Sequence, residues 1–251
     1  MNKVEQLSKI TELFYLGGVC DVAMMRCEND KTEVNYYLAD IAFLTNLTFF
    51  SNPFEKDVNL PIYDLNTLSR ILKLMSSEEG EVQVDIGKKK TNMNNTTPHS
   101  IVFKSGNIDT EFVLGDEKIV NNEKKVDIDK IPYGIEFELT EQHKEQFFKY
   151  SGVLKDYDHF TINSKNQCLE INFGNILRSH ENSITVSLDV ETPSSFKETM
   201  FFPTGVFSNI LRMNTDTNKI IMRVSKQAYV MKIEHDQYEV LYVNASKKNK
   251  T

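Results

Sequence analysis

Apolar and polar residues alternate along much of the second half of the chain, which predicts strands. The segments are YGIEFEL (133–139), HFTINSK (159–165), CLEINFG (168–174), SITVSLDV (183–190), KETMFF (197–202), KIIMRVS (219–225), AYVMKIE (228–234) and QYEVLYV (237–243). Most place apolar side chains at every second position, the spacing of a strand with one buried face. Short polar turns such as SKNQ and HDQ join them. Two stretches carry helical spacing instead: 141–154, with Thr140 as its N-cap, and roughly 204–213. The order strand, helix, three strands therefore occurs twice, an internal duplication of one supersecondary unit.

The first half has a related order. A helix near 3–16 precedes strands near 18–27, 32–38 and 41–50, and a strand at 57–62 leads into a second helix. Strands follow at 81–86, 100–105 and 109–114, while the strand expected ahead of the first helix is short or missing. In the second helix, IYDLNTLSRILKLM (62–75), Leu65, Leu68, Ile71, Leu72 and Met75 fall on one stripe and Arg70 and Lys73 on the opposite side. The hexamer LSRILK (68–73) has an echo in FSNILR (207–212), where Val206, Phe207, Ile210 and Leu211 form the stripe and Arg212 lies opposite. Residues 115–132 are highly charged and aperiodic and read as a connector, and 88–98 (KKKTNMNNTTP) reads as a polar loop. The division implied is 1–115, a connector at 116–131, and 132–251.

Charge sharpens the picture. The chain carries 36 Asp+Glu against 29 Lys+Arg, a net charge of −7, which argues against coating nucleic acid with its whole surface. A local basic patch remains compatible with that balance. The opening MNKVEQLSKITELF lacks an apolar export region, and IAFLTNLTFF is too short and polar to span a bilayer. Cys20, Cys27 and Cys168 are odd in number and lack metal-ligand spacing, so reduced thiols in a cytoplasmic protein are expected. No phosphate-binding loop, zinc motif or nucleophilic triad stands out. The carboxylates and imidazole of DYDH (156–159) fit a polar turn better than a metal site. Neither an enzyme activity nor a cofactor is expected.

Three stretches carry a family resemblance. LPIYDLNTLSRILKLMSSEEGEVQVDI (60–86), DYDHFTINSKNQCLEINF (156–173) and YVMKIEHDQYEVLYVNAS (229–246) resemble DNA polymerase sliding clamps of the trimeric type, the group of proliferating cell nuclear antigen, and most closely the clamps of large tailed bacteriophages. The resemblance implies an α+β fold of two similar clamp domains. Each is built from repeated βαβββ units with helices on one face of antiparallel sheets. It also implies a homotrimeric ring that encircles double-stranded DNA without regard to sequence. An ATP-dependent clamp loader would open the ring, and the replicative DNA polymerase would tether to it. Related phage clamps also assist late transcription, which makes late-transcription factors a further partner class, although no residue here points to them.

A sliding tether needs phosphate contacts, which carry no sequence information, rather than base contacts. On that reading Arg70 and Lys73, then Arg212, Lys149 and Lys9, face DNA. Glu145 shares the face of Lys149, and Glu5 and Glu12 flank Lys9. Basic residues on exposed helix faces are also common where they are merely solvated. Lys144 lies at the apolar edge of its helix, where it can cover the core. The resemblance further implies ring closure through the edges at 109–114 and 183–190. A partner-peptide groove would be lined by Ile119, Val126 and Ile128 of the connector with Tyr242 and Val243. Isolated apolar residues in a linker otherwise pin it to its domain. The competing reading is a non-enzymatic, strand-rich viral structural or assembly protein, which needs no basic helix face.

Overall fold

The computed structural model describes residues 1–54, 56–78, 80–90, 96–120, 130–174, 181–217 and 219–246. In chain order the first elements are α1 (Lys3–Tyr15), β1 (Ala23–Glu28), β2 (Lys31–Leu38), β3 (Phe43–Phe49) and β4 (Val58–Ile62). There follow α2 (Leu65–Ser77), β5 (Gln83–Lys90), β6 (Thr96–Ser105), β7 (Ile108–Val113) and the single turn α3 (Glu117–Val120). The second half contains β8 (Tyr133–Glu138), α4 (Glu141–Val153), β9 (His159–Lys165), β10 (Cys168–Gly174) and β11 (Ser183–Glu191). It ends with β12 (Met200–Pro203), α5 (Thr204–Met213), β13 (Lys219–Ser225), β14 (Ala228–His235) and β15 (Tyr238–Ala245).

The chain divides into two units. Unit 1 comprises Met1–Tyr37, Thr45–Lys124 and Gln237–Val240, and unit 2 comprises Leu38–Leu44, Lys125–Asp236 and Leu241–Thr251. In unit 1, β4, β1, β2 and β3 follow one another in one sheet, and β5, β6 and β7 form a second. In unit 2, β12, β9, β10 and β11 make one sheet, and β8, β13, β14 and β15 follow one another in the other. The registered pairs are all antiparallel. In both units the strand ahead of the second helix pairs with the strand after the first: β4 with β1, and β12 with β9.

Capping chemistry sets the helix starts. Asn2 Oδ1 accepts from the Glu5 amide at 2.9 Å while Glu5 Oε2 accepts from the Asn2 amide at 2.8 Å, a closed capping box. At α4, Thr140 Oγ1 accepts from the His143 amide at 3.3 Å, so the expected N-cap is in place. At α2, Asp64 Oδ1 accepts from the Thr67 amide at 2.8 Å. The end of α1 differs from expectation. Leu16, Gly17 and Gly18 all adopt positive φ, and the amides of Gly18, Val19 and Cys20 donate to the Tyr15 carbonyl. That turn delays β1 to Ala23 instead of 18.

Buried stripes hold the helices to their sheets. Leu65, Leu68, Leu72 and Met75 of α2 are each at most 1% exposed. Each such burial contributes roughly 1.5–3 kcal/mol. The core of unit 2 is aromatic. The Phe147 ring lies 4.5 Å from Phe207 and 5.2 Å from both Phe160 and Phe173, centroid to centroid.

The polar loop expected at 88–98 is shorter than that. β5 runs on to Lys90 and β6 starts at Thr96, with Lys88 opposite Pro98 and Lys89 opposite Thr97. A bulge between Gly87 and Lys88 marks where this polar extension begins. The connector is not uniformly irregular either. Asp116 Oδ1 accepts from the Lys118 amide at 2.8 Å and opens the short turn α3.

Candidate nucleic-acid interface

In unit 1, α1 and α2 pack against each other. Arg70 and Lys73 are exposed on α2, opposite its buried stripe. Asp64, six residues before Arg70, caps the helix, and its carboxyl sits below the usual carboxylate range. The Thr67 hydrogen bonds are the main cause, and the Arg70 charge adds a smaller pull. The wet face is not purely basic, because Leu74 is 46% exposed beside Lys73. Its position in a helical register next to two cations did not mark it out in the sequence.

Across the shallow crevice between the helices, α1 contributes Ser8, Thr11 and Glu12, and α2 contributes Ser69, Leu72 and Lys73. Lys73 thus shares its crevice with a carboxylate. Lys9 is half-buried, with its ammonium 5.6 Å from the centre of the Tyr238 ring. It therefore sits in a different environment from the exposed pair, leaning on an aromatic face of its own unit.

In unit 2, Lys149 is exposed on α4 with its ammonium 5.3 Å from the Tyr150 ring, and Glu145 is exposed one turn earlier. Arg212 is exposed on α5, its guanidinium 5.5 Å from the Phe148 ring of α4. Lys144 is only 6% exposed and pairs with Glu141 at 2.6 Å, so it does cover the core. The hexamer echo proves structural. Leu68 and Phe207 both stand fourth in their helices and are buried, Leu72 and Leu211 both stand eighth and are buried, and Lys73 and Arg212 both stand ninth and are exposed. The two helices place a cation at the same position of the same supersecondary unit.

The edges fall where the resemblance put them: β7 and β11 are each the terminal strand of their sheet among the described residues. The peptide-groove expectation needs correcting. Ile119 is 81% exposed on α3, but Tyr242 is fully buried, stacked on Phe43 at 6.1 Å, with its hydroxyl 3.5 Å from Asn214 Nδ2. Val243 is 7% exposed. Both belong to the core, because β15 is buried on both faces and leaves neither side chain for a visiting peptide. Val126 and Ile128 lie outside the described residues.

Elsewhere the chemistry is quiet. In the DYDH turn the Asp158 carbonyl accepts from the Thr204 amide at 2.8 Å, and the Tyr157 hydroxyl reaches Glu181 Oε2 at 3.4 Å. Among the described residues no group of three or more His, Cys, Asp or Glu is arranged to hold a metal. None of their helices is long and apolar enough to cross a membrane.

No family model matches the sequence, and no curated protein matches it. Solved structures do match the fold. The PCNA of A. fulgidus, in a structure with the C-terminal region of FEN-1, superposes with a TM-score of 0.69 at 10% identity, covering 99% of this chain and 97% of that one. Proliferating cellular nuclear antigen from Entamoeba histolytica gives 0.66 at 15% identity, covering 98% and 96%. The fold is that of a PCNA-type sliding clamp. Within it, α1, α2, α4 and α5 are the helices of four successive units, and the sheets are antiparallel throughout the registered pairs, as the sequence pattern implied.

Proposed function

We propose that this chain is a sliding clamp: three copies close head to tail into a ring around duplex DNA and tether the replicative polymerase to its template. The supporting observation is the matched pair Lys73 and Arg212. Each is exposed at the ninth position of the second helix in its unit, in a clamp fold whose sequence is acidic as a whole. Arg70 adds a second exposed cation one turn from Lys73. Cations on a curved inner wall would contact phosphates and release counterions without reading bases, which suits a ring that must slide.

In this reading the open edges of β7 and β11 pair between copies, and a contact that closes on rotation gives a ring instead of a filament. An ATP-driven loader opens the ring, and the clamp itself catalyses nothing. The reading extends to a phage-type clamp at work in the host cytoplasm, supported by the resemblance of the stretches at 60–86, 156–173 and 229–246. The A. fulgidus protein is bound by the C-terminal region of FEN-1, and in this reading partner proteins, the polymerase among them, dock here through short segments of their own, with Ile119 as the exposed apolar contact on the connector.

The test is native mass over a dilution series, followed by retention on DNA. A trimer of 29.0 kDa chains that stays on closed circular duplex and is lost when the circle is cut supports the reading. A monomer at every concentration, or equal retention on linear and circular DNA, overturns it.

A further inference from the structure

Among the described residues the two units differ at one strand position. In unit 2, β8 precedes α4 and pairs antiparallel with β13, the strand after α5: Phe137 lies opposite Met222, Glu136 opposite Arg223 and Ile135 opposite Val224. The equivalent partner in unit 1 would precede α1 and pair with β5, the strand after α2. Among the described residues α1 opens at Lys3 on its Asn2 cap, and β5 registers with β6 alone. There β5 is a terminal strand of its sheet, whereas its counterpart β13 lies between two neighbours. The other crossed pairing, β4 with β1, matches β12 with β9.

A cleft of about 600 Å³ lies along that edge. It is bounded by the start of α1, the end of α2 and residues 80–85 of the approach to β5 and its first turn. Half-buried Val82 offers apolar footing, and the lining carboxylates Glu5, Glu78, Glu81 and Asp85 outnumber the one cationic side chain of the lining, Lys3. Gln6 also lines the cleft, and its Oε1 is buried without a hydrogen-bond partner. An unsatisfied buried acceptor beside an unpaired strand edge is the chemistry that an incoming backbone amide would complete.

We propose that the outer edge of β5 from Gln83 to Ile86, with the approach residues Glu81 and Val82, is a docking site for an extended, net-positive peptide segment of a partner protein, which adds a strand antiparallel to β5. Main-chain pairing supplies the affinity, an apolar residue seats beside Val82, and Lys or Arg side chains meet Glu78, Glu81 and Asp85. The site ends at the Gly87–Lys88 bulge, beyond which exposed Lys88 and Lys89 repel a basic ligand. The site rests on the fold alone and not on the ring reading, and it is distinct from the β7 and β11 edges.

The test uses the full chain and a fluorescein-labelled octapeptide, Lys-Ile-Lys-Val-Lys-Ile-Lys-Val. Anisotropy gives its affinity, and amide hydrogen exchange locates it. The expected result is saturable binding with new protection confined to the amides of residues 81–87. N-methylation of alternate peptide nitrogens should weaken it at least tenfold, as should the double variant Glu81→Lys/Asp85→Lys, which should keep the wild-type circular dichroism. Binding that N-methylation leaves unchanged would mean charge attraction only and overturns strand addition. So would protection at β7 or β11, or no binding. Concentration-dependent protection of β5 in the protein alone would assign the edge to a second copy instead.

Discussion

Arg212 of α5 holds its guanidinium 5.5 Å from the centre of the Phe148 ring on α4. An exposed cation over an aromatic face contributes on the order of 0.5–1 kcal/mol, and it restricts a side chain that would otherwise sample many rotamers. A double-mutant cycle on Arg212→Ala and Phe148→Leu should return a coupling of about that size in urea unfolding. Phe148→Leu alone should weaken DNA retention slightly, because a loosened Arg212 has more freedom to lose. A coupling indistinguishable from zero would make the contact incidental.

Arg70 and Lys73 bear most directly on DNA, since both are exposed opposite a fully buried stripe. If each engages one phosphate, removing it should lower the slope of log affinity against log salt by about 0.9. Arg70→Ala and Lys73→Ala should therefore flatten the slope stepwise, independent of DNA sequence, with thermal stability nearly unchanged. Lys9→Ala is expected to do less, because the Lys9 ammonium leans on Tyr238. Unchanged slopes for both α2 variants would leave these cations merely solvated.

The contrast between those residues shows what the sequence could disclose. Period-two alternation located β8 to β11 and β13 to β15 nearly to the residue, and short polar turns mark the junctions of β9 with β10 and of β14 with β15. Helical spacing exposed the stripe of α2 and the opposed Arg70 and Lys73. The same logic failed at Tyr242, because β15 is buried on both faces and alternation then says nothing about which side is accessible. It failed at 88–98 because Lys, Thr and Pro there join a ladder through their backbones, a pairing that side-chain pattern does not report. The delayed start of β1 follows from successive positive φ at Leu16 to Gly18, one of them at a leucine, which composition does not signal. The lean of Lys9 on Tyr238 joins residues more than two hundred positions apart, beyond the reach of local periodicity.

Thiol chemistry separates the three cysteines. Burial is the main cause that pushes the Cys20 thiol up to about 12 and the Cys27 thiol to about 11. The Asp21 charge adds to the rise at Cys20, and the Thr32 hydrogen bond opposes it at Cys27. At pH 8 neither supplies appreciable thiolate, and neither is reached by solvent. Cys168 is partly exposed, with its sulfur 2.9 Å from Ser187 Oγ. Iodoacetamide should therefore label Cys168 alone in the native protein and all three thiols in urea, read by peptide mass spectrometry. Rapid native labelling of Cys20 or Cys27 would show that their elements open far more readily than the packing implies.

The α2 cap supplies a pH-dependent test. Asp64 accepts from the Thr67 amide at 2.8 Å, and its carboxyl is lowered from the ordinary 3.8 chiefly by the Thr67 hydrogen bonds. A carboxylate whose folded value is depressed stabilises the fold fully above its unfolded value, and that contribution fades as pH falls through the folded one. At pH 7, Asp64→Ala should cost about 1 kcal/mol, the usual loss for an N-cap. The gap to wild type should begin to close below about pH 3.8 and continue closing as the carboxyl protonates. Asp64→Asn should keep most of the cap, since the amide oxygen still accepts, and its stability relative to Asp64→Ala should not vary over that window. Urea midpoints of the three proteins at pH 7 and at several values below 4 provide the comparison. If the Ala and wild-type curves stay parallel down to the lowest pH at which both fold, the Asp64 charge is not what holds the start of the helix that presents Arg70 and Lys73.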